Sequence, residues 1–211
     1  MLGLGASLAK GGASLLTYVK DNLKLYLDFK SNRSDELKFV SEGSTSFDGS
    51  NDKIDLGTSS SLQLASATYA VWIYWDGESN DTIFGRYGSI GYDIRWRIET
   101  SNKLKLYSGG AWRDETTTVT ASQWQHIAIT IDSTACKTYV DGVETNSSAG
   151  FSIGTSAEPN LIGSNALQGD FFGGKMANFA IWSRALSPEE IQSVMNKSYS
   201  QLGSVEKTSL V

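Results

Sequence analysis

The sequence predicts an all-β sandwich or barrel carrying one short helix near its C-terminus. Three observations carry this reading. Short runs alternate apolar and polar residues, Asp-Gly dipeptides punctuate them, and the 211-residue chain holds 21 Gly, 6 Trp and 9 Tyr against 2 Pro. Successive strand side chains point to opposite faces, so a period of two marks a half-buried strand. Glycine supplies the positive backbone angles of tight turns, and aromatic rings suit a pleated, half-buried surface.

The first clear run is Leu23-Lys24-Leu25-Tyr26-Leu27-Asp28-Phe29. Thr68-Tyr69-Ala70-Val71-Trp72-Ile73-Tyr74-Trp75 is apolar at both parities, which suits a strand covered on both sides or one with a core face and a groove face. Asp93-Ile94-Arg95-Trp96-Arg97-Ile98-Glu99 alternates with Ile94, Trp96 and Ile98 inward. Lys103-Leu104-Lys105-Leu106-Tyr107 and His126-Ile127-Ala128-Ile129-Thr130-Ile131-Asp132 follow the same rule. Asp48-Gly49, Asp76-Gly77 and Asp141-Gly142 supply tight turns between antiparallel strands. Short strands at this spacing indicate a sandwich or barrel and not alternating β/α units.

The helix begins at Ser187-Pro188-Glu189-Glu190. Ser187 is placed as N-cap, Pro188 at the first helical position and Glu190 at the third, a capping box in which proline's missing N–H costs nothing. Leu186 and Ile191 fall at staple positions, and Ile191, Val194 and Met195 form one apolar face.

Composition excludes several classes of function. The net charge is −5 with no block of like charges, so nucleic acid is not an expected partner, because phosphate binding needs clustered Lys and Arg. No apolar stretch approaches the roughly 18 residues that span a bilayer, so membrane insertion is not expected. Cys136 is the sole cysteine, so no intrachain disulfide forms and the fold does not require an oxidising compartment. The Asn-x-Ser/Thr sites at Asn32, Asn80, Asn146 and Asn196 read as chance occurrences in a Ser- and Asn-rich chain. The start, Met1 to Ala9, lacks the basic flank of a signal peptide, and Lys10 interrupts its apolar run.

Three regions follow. Residues 1–22 read as an N-terminal arm, residues 23–200 as the globular domain, and residues 201–211 as a polar tail. The arm holds Leu2, Leu4, Leu8, Leu15 and Leu16, too apolar for a solvated tail, which points to an attachment segment that orders against a partner.

Four motifs in order resemble one family. Ser46-Phe47-Asp48-Gly49-Ser50-Asn51-Asp52-Lys53-Ile54, Ser122-Gln123-Trp124-Gln125-His126-Ile127-Ala128, Thr138-Tyr139-Val140-Asp141-Gly142, and Phe172-Gly173-Gly174-Lys175-Met176 through Arg184-Ala185-Leu186-Ser187-Pro188-Glu189-Glu190-Ile191 are similar to motifs of laminin-G-like domains within the concanavalin-A-like lectin and glucanase fold. The resemblance implies a two-sheet antiparallel jelly-roll sandwich, with ligands taken at the rim loops or on a sheet face. Where many relatives carry an acidic pair after the glycines of the closing strand, this chain has Lys175-Met176-Ala177-Asn178. That departure weakens a calcium or ligand role tied to those acids. The Gly- and Leu-rich start running into Val19-Lys20-Asp21-Asn22 also resembles structural proteins of marine bacteriophages.

The leading expectation is therefore a non-enzymatic virion structural protein, of capsid-decoration or head/tail-fibre type, that displays a lectin-like domain. Its partners would be other virion proteins and copies of itself, and it would assemble in a host cytoplasm. The alternative is a carbohydrate-binding adhesion module that takes cell-surface glycans. A glycoside hydrolase is the weakest reading. The fold's glucanases need carboxylates about 5 Å apart on one strand face. No Glu-x-Asp-x-Glu occurs here, and Asp93 and Glu99 lie roughly 20 Å apart at about 3.3 Å per residue. Arg95 and Arg97 between them read as a charge-paired solvent face.

Trp75, Tyr87, Tyr92 and Trp112 lie near loops and are the expected sugar-binding aromatics, with Trp112 the best placed between Gly109-Gly110 and Arg113-Asp114. Calcium is the one cofactor the sequence suggests, held by Asp48, Asn51, Asp52 and Asp170, although Asp48-Gly49 and Asn51-Asp52 also serve as ordinary turn residues. His126 is expected to pack beside Trp124 and not to act as a base, since no activated Ser or Cys accompanies it.

Overall fold

The computed structural model describes residues 26–27, 43–78, 80–87, 92–108, 111–114, 116–151, 153–165, 167, 169–197 and 203–204. The arm and its leucines, most of the tail, and most of the Leu23–Phe29 run lie outside them.

The strands are β1 (Tyr26–Leu27), β2 (Thr45–Asp48), β3 (Ile54–Asp55), β4 (Ala67–Trp75), β5 (Asp81–Tyr87), β6 (Tyr92–Glu99) and β7 (Lys103–Ser108). After them come β8 (Ala111–Asp114), β9 (Trp124–Ile131), β10 (Ala135–Val140), β11 (Val143–Ala149), β12 (Leu161–Ile162), β13 (Gly173–Trp182) and the helix α1 (Pro188–Met195). Among the described residues the first sheet has seven strands in the order β1-β13-β4-β9-β10-β11, with β2 sharing the outer edge of β13. The second has six, in the order β3-β12-β5-β6-β7-β8. Every pairing is antiparallel, so the chain builds the expected two-sheet sandwich.

Alternation decides which side chains meet between the sheets. Tyr69, Val71, Ile73 and Trp75 of β4 and Ile127, Ile129 and Ile131 of β9 enter one core cluster with Ile94, Trp96 and Ile98 of β6 and Leu104 and Leu106 of β7. The run Thr68–Trp75 is apolar at both parities because its strand has two covered faces. Ala180, Ala70, Ala128 and Tyr139 lie in register across β13, β4, β9 and β10 on the far face. The three alanines leave a shallow depression, and Leu186, Ile191 and Val194 at and around α1 fill it with Trp182. The capping box forms as expected: Ser187 Oγ accepts from Glu190 N, and the Glu190 side chain accepts from Ser187 N.

Two polar devices, one of them buried, hold the loops. Arg86, fully buried, donates to the carbonyls of Leu62 and Gly154, tying two loops to β5. At the β10–β11 turn Asp141 and Gly142 both take positive φ, the backbone of a two-residue hairpin. Gln192 of α1 then donates to Gly142 O.

The closing strand enters beside β4 so tightly that only glycine fits. A Cβ on Gly174, where φ is +127°, would lie 2.1 Å from Tyr74 O. We therefore expect Gly174→Ala to cost more than about 2 kcal/mol, combining backbone strain with a displaced strand pair. Guanidinium unfolding of the variant measures this, and a loss near zero would show that β13 is not held in this register.

Candidate functional site

The outer face of the second sheet carries the densest set of polar and aromatic groups. Parity puts Arg95 and Arg97 of β6 on that face, with Lys105 and Tyr107 of β7 and Trp112 of β8 beside them. Register places Arg95 opposite Tyr107 and Arg97 opposite Lys105, and Tyr107 opposite Trp112. On the other side Gly85 of β5 lies under the loop that follows β12: a Cβ there would meet Ser164 O at 2.9 Å. This loop carries Asp170 back over the sheet and walls one side of the face, while Trp112 stands at the other.

The charges form one connected set. Asp170 pairs with Arg95 and lies 3.6 Å from Arg97, and Glu99 is shared by Arg97 and Lys105, the latter at 2.7 Å. These side chains are largely covered, at 12–18% exposure for Arg95, Arg97, Glu99 and Lys105 and 31% for Asp170. Shielded pairs in a network hold their geometry better than isolated surface pairs, which contribute little. The indole of Trp112 has Arg97 5.2 Å and Lys105 5.0 Å from its ring centre, with Tyr107 edge-on at 5.0 Å. Three neighbours thus hold a ring that stays 36% exposed.

The other sequence-derived residues fall elsewhere. Trp75 is a correction: it is 1% exposed, on the core face of β4, and its Nε1 donates to Asp81 Oδ2. It sits at a strand end near a loop but points inward by parity, so no sugar can reach it. Tyr87 and Tyr92 pair through their backbones at the ends of β5 and β6, and their side chains lie outside the described residues. His126 meets Trp72 edge-on at 5.5 Å instead of packing on Trp124, because Trp72 is its cross-strand partner in β4. Trp124 packs against Tyr74 by the same rule. Burial pushes the His126 imidazole down to about 3, so it is neutral at physiological pH.

Of the residues proposed for calcium, Asp48 and Asp170 line one cleft at the sandwich rim. Asp48 Oδ1 accepts from the N–H groups of Ser50 and Asn51, and Asp52 Oδ2 accepts from Asp48 N. These backbone bonds hold the Asp48 carboxyl below its usual range and make the segment a turn. The carboxylate of Asp170 is engaged by Arg95. Among the described residues no three His, Cys, Asp or Glu side chains converge as metal ligands.

An acidic group that the sequence flagged only at Asp48 and Asp170 lies at the sandwich rim. Asp48, Asp76, Glu78, Asn80, Asp81 and Asp170 line an open cleft of about 430 Å³. Asp81 forms its floor, buried, with Oδ2 accepting from Trp75 Nε1 at 2.8 Å and from Gly173 N at 3.1 Å. Burial, helped by the negative charges of Asp76 and Glu78, pushes its carboxyl up to about 6 against the downward pull of those two hydrogen bonds.

The fold defines a lectin-like β-sandwich. The chain belongs to the laminin-G-type family described as the concanavalin A-like lectin/glucanases superfamily, whose model matches residues 48–192. No curated protein sequence matches it. Among solved structures it resembles domain 4 of an extracellular arabinanase from Geobacillus stearothermophilus in complex with arabinotriose, at 17% identity and TM-score 0.61, over 82% of this chain and 87% of that one. It also resembles the CBM40 of a Ruminococcus gnavus IT-sialidase bound to α2,3-sialyllactose, at 13% identity and TM-score 0.61, over 81% and 97%. A third is the binding domain of Paraclostridial Mosquitocidal Protein 1, at 16% identity and TM-score 0.60, where 82% of this chain spans 47% of that one.

The raised carboxyl of Asp81 gives a test in pH. The native state holds this proton more tightly than the unfolded chain, whose carboxyl ionises near 3.8. Asp81 thus contributes stability that is complete below pH 3.8 and lost as pH rises through about 6. Asp81→Asn keeps an oxygen for both hydrogen bonds and removes the buried charge. Its stability relative to wild type should improve by on the order of 2–3 kcal/mol between pH 4 and pH 7, measured by urea unfolding at each pH. A pH-independent difference would show that Asp81 ionises normally in the folded state.

Proposed function

We propose that this chain is a non-enzymatic, lectin-like domain that binds glycans on the outer face of its second sheet. The observation that carries this is Trp112: an exposed indole held by Arg97, Lys105 and Tyr107 beside a fixed array of charged hydrogen-bonding groups. A sugar ring offers an apolar face to an aromatic side chain and hydroxyls to neighbouring polar groups. Holding the indole before binding reduces the ordering cost of association. That two of the similar structures hold arabinotriose and sialyllactose supports the reading. The non-enzymatic part rests on the sequence, where no Glu-x-Asp-x-Glu places two carboxylates close together on one strand face.

The setting we propose is a virion surface, with the domain displayed and residues 1–22 attaching it to other virion proteins or to its own copies. The support is the sequence alone, through Leu2, Leu4, Leu8, Leu15 and Leu16 and the resemblance to phage structural proteins. Neighbouring reading frames should encode capsid and tail proteins, and a purely cellular gene neighbourhood would sink this setting.

A glycan array tests the binding function, with Trp112→Ala as control. The wild-type chain should retain a defined subset of glycans. The variant should lose at least about tenfold in affinity for them, the equivalent of ~1.4 kcal/mol. Retention of every glycan by the variant would move the site off this face, and no retention by wild type would end the glycan reading.

A further inference from the structure

We infer that the ligand of this face is a neutral glycan, and that the same face discriminates against carboxylated sugars. This rests on the glycan-binding reading above and names its substrate class. Four cations lie on this sheet face by parity and register, Arg95, Arg97, Lys103 and Lys105, and invite the opposite conclusion, an anionic sugar, but the three inside the ionic network argue against it. Arg95, Arg97 and Lys105 are already bound to two internal carboxylates, with Glu99 bridging Arg97 and Lys105 and Asp170 bridging Arg95 and Arg97. A ligand carboxylate would have to displace one of these or sit beside both. Either route places like charges together where water is largely excluded, which is costly.

A hydroxyl meets no such barrier. An ionised carboxylate accepts hydrogen bonds at about four lone-pair positions. Glu99 and Asp170 can therefore accept from sugar hydroxyls without releasing their cations. Trp112 supplies the apolar surface.

The surroundings add to this selection. Asp170 belongs both to the ionic network and to the wall of the rim cleft, whose other carboxylates are Asp48, Asp76, Glu78 and Asp81. A glycan extended past Asp170 would enter that cleft, where negative charge repels a uronic or sialic acid and leaves a neutral sugar unaffected. The net charge of −5 acts in the same direction at long range, until salt screens it.

The test uses the full chain, by calorimetry or on immobilised glycans, against neutral arabino-, gluco- and galacto-oligosaccharides and their uronate or sialylated counterparts. Neutral glycans should bind at least about tenfold tighter than carboxylated ones at low salt, equivalent to ~1.4 kcal/mol, and the gap should narrow as salt rises. Tighter binding of the carboxylated set would overturn the inference while leaving the glycan site standing. Binding of neither set would overturn both, which separates the two failures. Glu99→Gln releases Arg97 and Lys105 and should shift the ratio toward carboxylated glycans. Asp170→Asn does the same at Arg95 and reports if the first variant does not fold. An unchanged ratio in a folded variant would show that the network is not the selector.

Discussion

The carboxylate of Asp81 is the interaction on which the geometry of this domain turns. Through a single oxygen it links the start of β5, in the second sheet, to Trp75 of β4 and the backbone of Gly173 in β13, both in the first. Much of the rim follows from that link. Gly173 leaves room for the Asp76 side chain, whose carboxylate a Cβ there would meet at 2.1 Å unless it turned away. Thr82, next to Asp81, donates its N–H to Asp170 O and fixes the returning loop. The Asp170 side chain then reaches Arg95 on the sheet face. A buried group that joins the sheets thus also sets one wall of the outer face of the second sheet.

The strands were readable wherever hydrophobic parity was clean. Ile94, Trp96 and Ile98 enter the core as their spacing predicts, and β7 and β9 follow the same rule. The helix was readable to the atom because capping is local chemistry: Ser187, Pro188 and Glu190 need only one another. Less readable were pairings between distant segments. β1 and β2 share one edge of β13, an arrangement set by residues about 125 to 154 positions away in sequence. The Ala180–Ala70–Ala128 row that seats the helix shows no pattern until the strands are in register.

The candidate site was legible only in part, for the same reason. The glycines before Trp112 signalled an exposed tip, and the alternation of Arg95 and Arg97 signalled a charged face. Sequence could not show that β7 and β8 bring Lys105, Tyr107 and Trp112 onto that face, since cross-strand partners come from the fold. Trp75 was misassigned because a run apolar at both parities does not say which face is the core. Asp81 was overlooked because a lone Asp before a strand looks like a turn residue. Its burial depends on Trp75 and Gly173, six residues before it and 92 after it.

The way the first sheet ends has a consequence for crowding. A long, flat, unpaired strand edge is a template on which another molecule can add its own strand. Here the outer edge of β13 is covered in two pieces, by the two residues of β1 and the four of β2. At the opposite margin β11 is mostly exposed and largely polar, with Glu144, Thr145, Asn146, Ser147 and Ser148 in sequence. Neither margin offers a continuous apolar edge. Two copies of this domain brought close together therefore meet no ready template for joining through the margins of the first sheet.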